Sequence, residues 1–218
     1  IADVRANGDR AVLDYNLKFD KAQLETLLVS QKEIDEAFAS VEREFLTILE
    51  QAAENIRNFH SKQVRSSFVI ADKPGIVLGQ KVTPIEKVGV YVPGGTAAYP
   101  STVLMDTIPA KIAGCKEVVI TTPPNAEGKV NPVILAAAKI AGINKIFKVG
   151  GAQAVAALAY GTETIPKTDK IVGPGGIFVA TAKKKVFGQV AIDMIAGPSE
   201  ILVLADGSCN PKWVAVAI

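Results

Sequence analysis

Residues Val88 to Met105 read VGVYVPGGTAAYPSTVLM. A run of β-branched and aromatic residues meets Pro-Gly-Gly, then small polar residues, then an apolar stretch of helical character, which reads as strand, tight turn and helix. Two further junctions repeat this grammar: Val149-Gly150-Gly151-Ala152-Gln153 leads into AVAALAYG, and Val172-Gly173-Pro174-Gly175-Gly176 leads into IFVATAKKK. Working outward from them, strands are expected at Val88 to Val92, Glu117 to Thr121, Lys145 to Val149, Lys170 to Val172 and Ile201 to Leu204. Helices fall between the first four, and another follows Gly176. Such alternation specifies an α/β fold with a parallel sheet. The strands are apolar with little polar alternation, so the sheet is expected to be covered on both faces.

The first third of the chain differs. Ser30-Gln31-Lys32-Glu33 has capping-box spacing, and Phe45, Leu49, Ala52, Ile56 and Phe59 recur at three- and four-residue intervals, the mark of an amphipathic helix. From Gly75 to Pro84 the pattern turns β-like. Residues 1–86 therefore read as a helical arm and β-rich linker ahead of the region of alternating strands and helices. Pro123 to Gly128 reads as a surface loop.

Composition narrows the function classes. At 218 residues and 49% hydrophobic, the chain can bury a sizeable core. A net charge of +2 with no arginine-rich stripe argues against nucleic acid. No apolar run approaches the ~20 residues of a membrane span. The cysteines, Cys115 and Cys209, lie far apart with no leader-like segment before them, which points to a reducing compartment such as the cytoplasm. The chain opens on Ile1 and ends on the apolar run WVAVAI, so both termini read as cut ends.

In a parallel α/β sheet every strand-to-helix turn lies at the carboxyl edge, where ligands bind near a change of strand order. Pro93-Gly94-Gly95, Gly150-Gly151 and Gly175-Gly176 are thus expected to converge. Glycine admits close approach of a backbone, and the helix that follows offers free amides to an anion, so a phosphate-bearing ligand is the natural occupant. Tight-turn geometry accounts equally for any one of these glycines taken alone. Neither G-x-G-x-x-G opening a helix nor the P-loop pattern occurs.

The longer strings GVYVPGGTAAYPSTVLM, VGGAQAVAALAYGTETIPKTDKIVGPGG and IDMIAGPSEILVLAD closely resemble the histidinol dehydrogenases, and the resemblance runs from NGDRAVLDYNLKFD near the start to the end of the chain. It implies a zinc-dependent homodimer that oxidises L-histidinol to L-histidine through the aldehyde, the last steps of histidine biosynthesis, with two NAD reduced in succession. It also implies incomplete Rossmann-like domains of aldehyde-dehydrogenase-like architecture: 1–86 as arm and linker belonging to a second, incomplete domain, 87–199 as the Rossmann-like NAD-binding domain, and 200–218 as the truncated start of the second α/β domain. By motif, Tyr91 and Gln153 take NAD-contacting positions, Gly176 falls at a third, and Ser199 of AGPSE takes a substrate-contacting one. The family writes GPGN where this chain writes Gly173-Pro174-Gly175-Gly176, so a side-chain amide toward the cofactor is missing here. The family's zinc ligands and catalytic Glu-His pair lie C-terminal to the GPSE segment, beyond Ile218. Neither metal ligands nor catalytic residues are expected within this span, which alone is expected to be inactive. The competing reading is a non-catalytic truncated fragment or paralogue that folds, dimerises or binds a nucleotide.

Other conspicuous residues carry plainer readings. His60, the one histidine, lies near the end of the long amphipathic helix, ahead of the α/β region. Cys115 follows a helix C-terminus that disfavours a thiolate, and it reads as a small buried side chain rather than as the nucleophile of an aldehyde-dehydrogenase-like enzyme. Cys209 reads as a loop residue. The run Lys183-Lys184-Lys185 reads as a solvated helix face. Asp193 and Glu200 flank the GPS turn as candidate site-facing carboxylates, and Glu200, at the start of a strand, reads equally as a brace of the loop.

Overall fold

The structure, a computed structural model, describes residues 1–94, 98–195 and 201–217. It opens with α1 (Ala2–Tyr15), which continues through a π-turn at Asn16–Asp20, followed by α2 (Gln31–Ser40) and α3 (Arg43–His60). A hairpin of β1 (Phe68–Lys73) and β2 (Ile76–Gln80) comes next. Then follow β3 (Lys87–Tyr91), α4 (Pro100–Ile112), β4 (Glu117–Thr122), α5 (Pro132–Ala141), β5 (Ile146–Lys148), α6 (Gly151–Tyr160), β6 (Lys170–Val172), α7 (Ile177–Val186), β7 (Ala191–Ile192) and α8 (Pro211–Ala217).

Local chemistry accounts for many of these boundaries. Ser30 and Glu33 form the full capping box that starts α2, each satisfying a backbone amide of the other. Asn131 caps α5 through the Val133 amide, with Pro132 at the first helical position, and Gly142 ends that helix in the left-handed conformation. In α3 the buried stripe is Leu46, Leu49 and Ala53, with Ala52 and Ile56 partly covered. Phe45 and Phe59, which the heptad-like spacing places on the same face, are exposed. The helix rotates so that its smaller residues meet α4 and α5, because close helix packing favours short side chains over rings.

The five-stranded sheet runs β5-β4-β3-β6-β7 with every pair parallel. Helices cover both faces. Val88, Val90, Val118 and Ile120 pack with α2, α3, α4 and α5, while Tyr91, Val119, Phe147 and Ile171 pack with α1, α6 and α7. Along α6 every residue from Gln153 to Ala159 is buried, and the run of small side chains lets the helix lie close on the sheet. The helices of the first third thus seat on the same sheet, on both of its faces.

One expected strand needs correction, and one strand was not expected. Ile201 to Leu204 is not a strand, and Leu202 and Leu204 are 90% and 95% exposed. A strand exists only through its hydrogen-bonded neighbours, and among the described residues nothing pairs with this segment. Conversely β7, two residues long, is too short to register as a periodic pattern.

Candidate functional site

The strand order reverses at β3: the chain steps from β3 to β4 to β5, then returns to place β6 on the other side of β3. The switch point therefore lies between the carboxyl ends of β3 and β6, where open α/β sheets form their ligand crevice. The described parts of the glycine junctions meet at this edge, and Tyr91 links two of them to β3. Its carbonyl lies so close to Gly173 that a Cβ there would sit 2.1 Å away, and Gly173 holds φ at +111°, a left-handed value that only glycine adopts without strain. Its hydroxyl accepts a hydrogen bond from the Gly151 amide at 3.2 Å. Tyr91 is buried, and burial, with the Asp20 carboxylate as a smaller cause, holds its phenol above the usual range. The tyrosine thus acts here as the fastening between loops.

The segment expected to be a surface loop also takes part. A Cβ on Gly94 would meet Pro123 at 2.5 Å, and one on Gly150 would meet the same proline at 2.6 Å, so Pro123 is wedged between two of the glycine turns. On the α2 and α5 side of this wedge lies a cavity of about 550 Å³ lined by Glu33, Glu36, Pro93, Gly94, Pro123 and Asn131 among others. Toward α4 and α7, at the switch point itself, a smaller cavity of about 210 Å³ is lined by Asp106, Gly173, Gly175, Lys183 and Asp193 among others. The glycine turns share an edge and two fastening residues, and they do not open into one cavity.

Helices α6 and α7 begin at Gly150 and Gly176 with no side chain capping them. Their N-cap residues offer no side-chain acceptor, so apart from the Gly151 amide, which Tyr91 takes, the first-turn amides and positive dipole ends meet the condition for holding an anion. Gln153 is buried on the first turn of α6, its side-chain oxygen folded back over Gly151. At Gly176 the backbone is extended with φ −63°, and a Cβ would meet nothing within 4 Å. No backbone constraint requires glycine there, in contrast with Gly173. Ser199, Glu200 and Gly95 lie outside the described residues.

The lysine run requires correction. Lys184 and Lys185 are exposed, whereas the Lys183 side chain is 5% exposed. It donates to the Gly173 carbonyl at 2.9 Å and pairs with Asp193. Asp193 in turn accepts from the Gly173 amide at 2.9 Å, so it braces the loop. Helical spacing carried a signal: Val179, Lys183 and Val186 lie at i, i+4 and i+7, one face of α7, and that face is buried. Asp106 on α4 faces the same pocket, and burial, then the Asp193 charge, pushes its carboxyl up to about 6, with Lys183 pulling the other way. Sequence reasoning passed over Asp106 entirely, since nothing local marks one half-buried carboxylate in a helix.

The arm contributes as well. Asn16, fully buried, donates to the Lys148 carbonyl at 2.6 Å, and the Lys148 ammonium pairs with Glu33 of α2. Together these fasten the π-turn and α2 to the carboxyl end of β5. The remaining conspicuous residues stand apart from this edge. His60 bonds the Gln63 side chain at 2.7 Å within its own helix end. Cys115 sits at the opposite, amino end of the sheet, partly buried against the core, and burial pushes its thiol up. Cys209 lies in a turn. Among the described residues no three His, Cys, Asp or Glu side chains come together as a metal-binding group. No described helix is long and apolar enough to cross a membrane.

Comparison with known proteins gives one consistent answer. The family model described as histidinol dehydrogenase matches residues 1–218. Relatives carrying that name from Clostridium acetobutylicum and Lactiplantibacillus plantarum are each 58% identical over 215 residues, covering 99% of this chain and 50% of theirs. The crystal structure of histidinol dehydrogenase from Elizabethkingia anophelis superposes with a TM-score of 0.92 at 46% identity, covering 99% of this chain and 50% of that one. The chain spans about half the length of the curated relatives it matches.

Proposed function

The chain belongs to the histidinol dehydrogenase family, and on that premise we propose that it supplies the cofactor cradle of an enzyme oxidising L-histidinol to L-histidine through the aldehyde. The observation that carries this reading is the carboxyl edge itself: glycine turns fastened by Tyr91 and Pro123, with the uncapped N-termini of α6 and α7 beside them. That donor set fits the pyrophosphate of NAD, which accepts hydrogen bonds and carries the charge that helix dipoles favour. When bound, NAD would supply the hydride acceptor, one molecule for the alcohol carbon and a second for the aldehyde once water has added to it. This chain's own part is to bind and orient. Tyr91 holds the Gly151 turn, Gln153 and Gly176 stand at the helix starts that face the cofactor, and Ser199 contacts the substrate.

Zinc has no corresponding place among the described residues. The described residues offer no donor set for it, so no step through the metal is assigned to them. In this reading its ligands, with the proton-transferring groups, belong to the part of the relatives' length that these residues do not span, and the working enzyme is a cytoplasmic homodimer. Residues 87–199 act as the cofactor-binding unit.

One observation favours a second reading, a nucleotide-binding module without turnover: Gly176 stands where the family's motif has asparagine, although an asparagine would fit there without strain. The test is formation of NADH by the full-length protein supplied with L-histidinol and NAD, beside a direct NAD titration. Substrate-dependent NADH is the expected result. Binding of NAD with no NADH formed would establish the module instead. In the same titration Gly176→Asn is expected to tighten NAD, and an unchanged or weaker affinity removes Gly176 from the cradle.

A further inference from the structure

A buried ammonium costs several kcal/mol unless it is both paired and hydrogen-bonded. Lys183 meets that condition in an unusual way. Its partners are the Gly173 carbonyl and the Asp193 carboxylate, and that carboxylate also takes the Gly173 amide. One ion pair therefore grips both the N–H and the C=O of a single loop residue. A fold staple would join two elements through their side chains alone; this one closes on the backbone of the turn that follows β6. Gly173 is also the residue whose left-handed φ, open to glycine without strain, lets the loop pass the Tyr91 carbonyl.

We propose that Lys183 and Asp193 are positioning residues that fix the Gly173 peptide and so aim the Gly173-to-Gly176 loop, and the start of α7 behind it, at the cofactor. This rests on the cofactor reading given above and adds to it the groups that pre-organise the cradle. Neither residue is assigned contact with NAD. The lysine acts from beneath the loop, on the same helix that offers its N-terminus to the ligand, so the loop and the helix start are held as one body.

The test uses the full-length protein and the double variant Lys183→Met/Asp193→Asn, which removes both charges of the pair together. Two quantities are read: hydrogen exchange of the Gly173 amide without ligand, and the dissociation constant for NAD. Exchange is expected to speed up and NAD affinity to fall, each by about tenfold or more, roughly the loss of one charge-assisted hydrogen bond. The Michaelis constant for histidinol is expected to move less than that for NAD. Lys184→Met, on the exposed face, is expected to change none of these. Unchanged exchange overturns the clamp, and faster exchange with unchanged NAD affinity overturns its role in positioning. Equal losses for NAD and histidinol reduce the pair to a structural brace and overturn it too. If the unmodified protein binds no NAD, the cofactor reading falls, while exchange at Gly173 still decides whether the clamp exists. Should the double variant fail to fold, Lys183→Met alone, which leaves Asp193 at 29% exposure in reach of water and still bonded to the Gly173 amide, is expected to give a smaller shift in both readouts. No shift in either sinks the proposal.

Discussion

The two ends of the same parallel sheet each border a cavity of about 550 Å³, yet they treat charge in opposite ways. At the amino end Glu117 pairs with Lys145 and Lys87, and Lys116 pairs with Glu86; the lysines are well exposed, with Lys145 at 56%. The lysine ends of these pairs are solvated and screened, so each pair contributes little, and the contrast with the other end lies in the ammonium groups. At the carboxyl end Lys183 and Asp193 are bound to loop backbone beside the half-buried Asp106. The contrast teaches that cavity volume does not mark a site here. What marks it is charge removed from water and tied to the main chain, where displacing it reshapes a loop.

Three substitutions sharpen or break that contrast. The largest effect is expected for Gly173→Ala, which forces a Cβ onto the Tyr91 carbonyl and a left-handed φ onto alanine. A loss of about 3 kcal/mol or more is expected by chemical denaturation. A loss below about 1 kcal/mol would mean that the loop relaxes freely and that the carboxyl edge is no more rigid than the amino one.

Asp106→Asn comes next, and its effect depends on pH. The folded protein holds this carboxyl up to about 6 against an ordinary value of 3.8, so it binds the proton more tightly than the unfolded chain does. Ionisation therefore costs stability progressively as pH rises from about 4 to above 6. Asparagine removes that cost: a gain of about 1–2 kcal/mol, already reduced for solvent screening, is expected at neutral pH, fading as pH falls toward about 4. Thermal melts of both proteins across this range decide it, and a pH-independent difference contradicts the burial of this group.

The smallest effect belongs to the amino end. Glu117→Gln is expected to cost at most about 1 kcal/mol and to cost less in high salt. A larger, salt-insensitive loss would erase the distinction between the two edges.

Much of the architecture was legible without coordinates, because its causes are local. The capping box at Ser30 and the strand-turn-helix junctions each depend on a few neighbouring residues and appear as read. The carboxyl edge was legible as a place, since α/β topology puts every such junction there. Its working parts were less so. Lys183 sits in a run of three lysines, and only the burial of one face of α7 singles it out. Pro123 belonged to a loop by composition and became a wedge because two glycine turns approach it.

By itself, then, the sequence determined the alternation of elements, the parallel sheet, the family and the glycine turns, all of which follow from hydrophobic period, turn chemistry and motif wording. The tertiary structure alone decided which charges lose their water, which loop Tyr91 fastens, and that Ile201 to Leu204 does not form a strand. The physical reason is the same in each case. Burial and strand pairing are properties of partners distant in the chain, and no local pattern encodes who the partner is or how closely its backbone approaches.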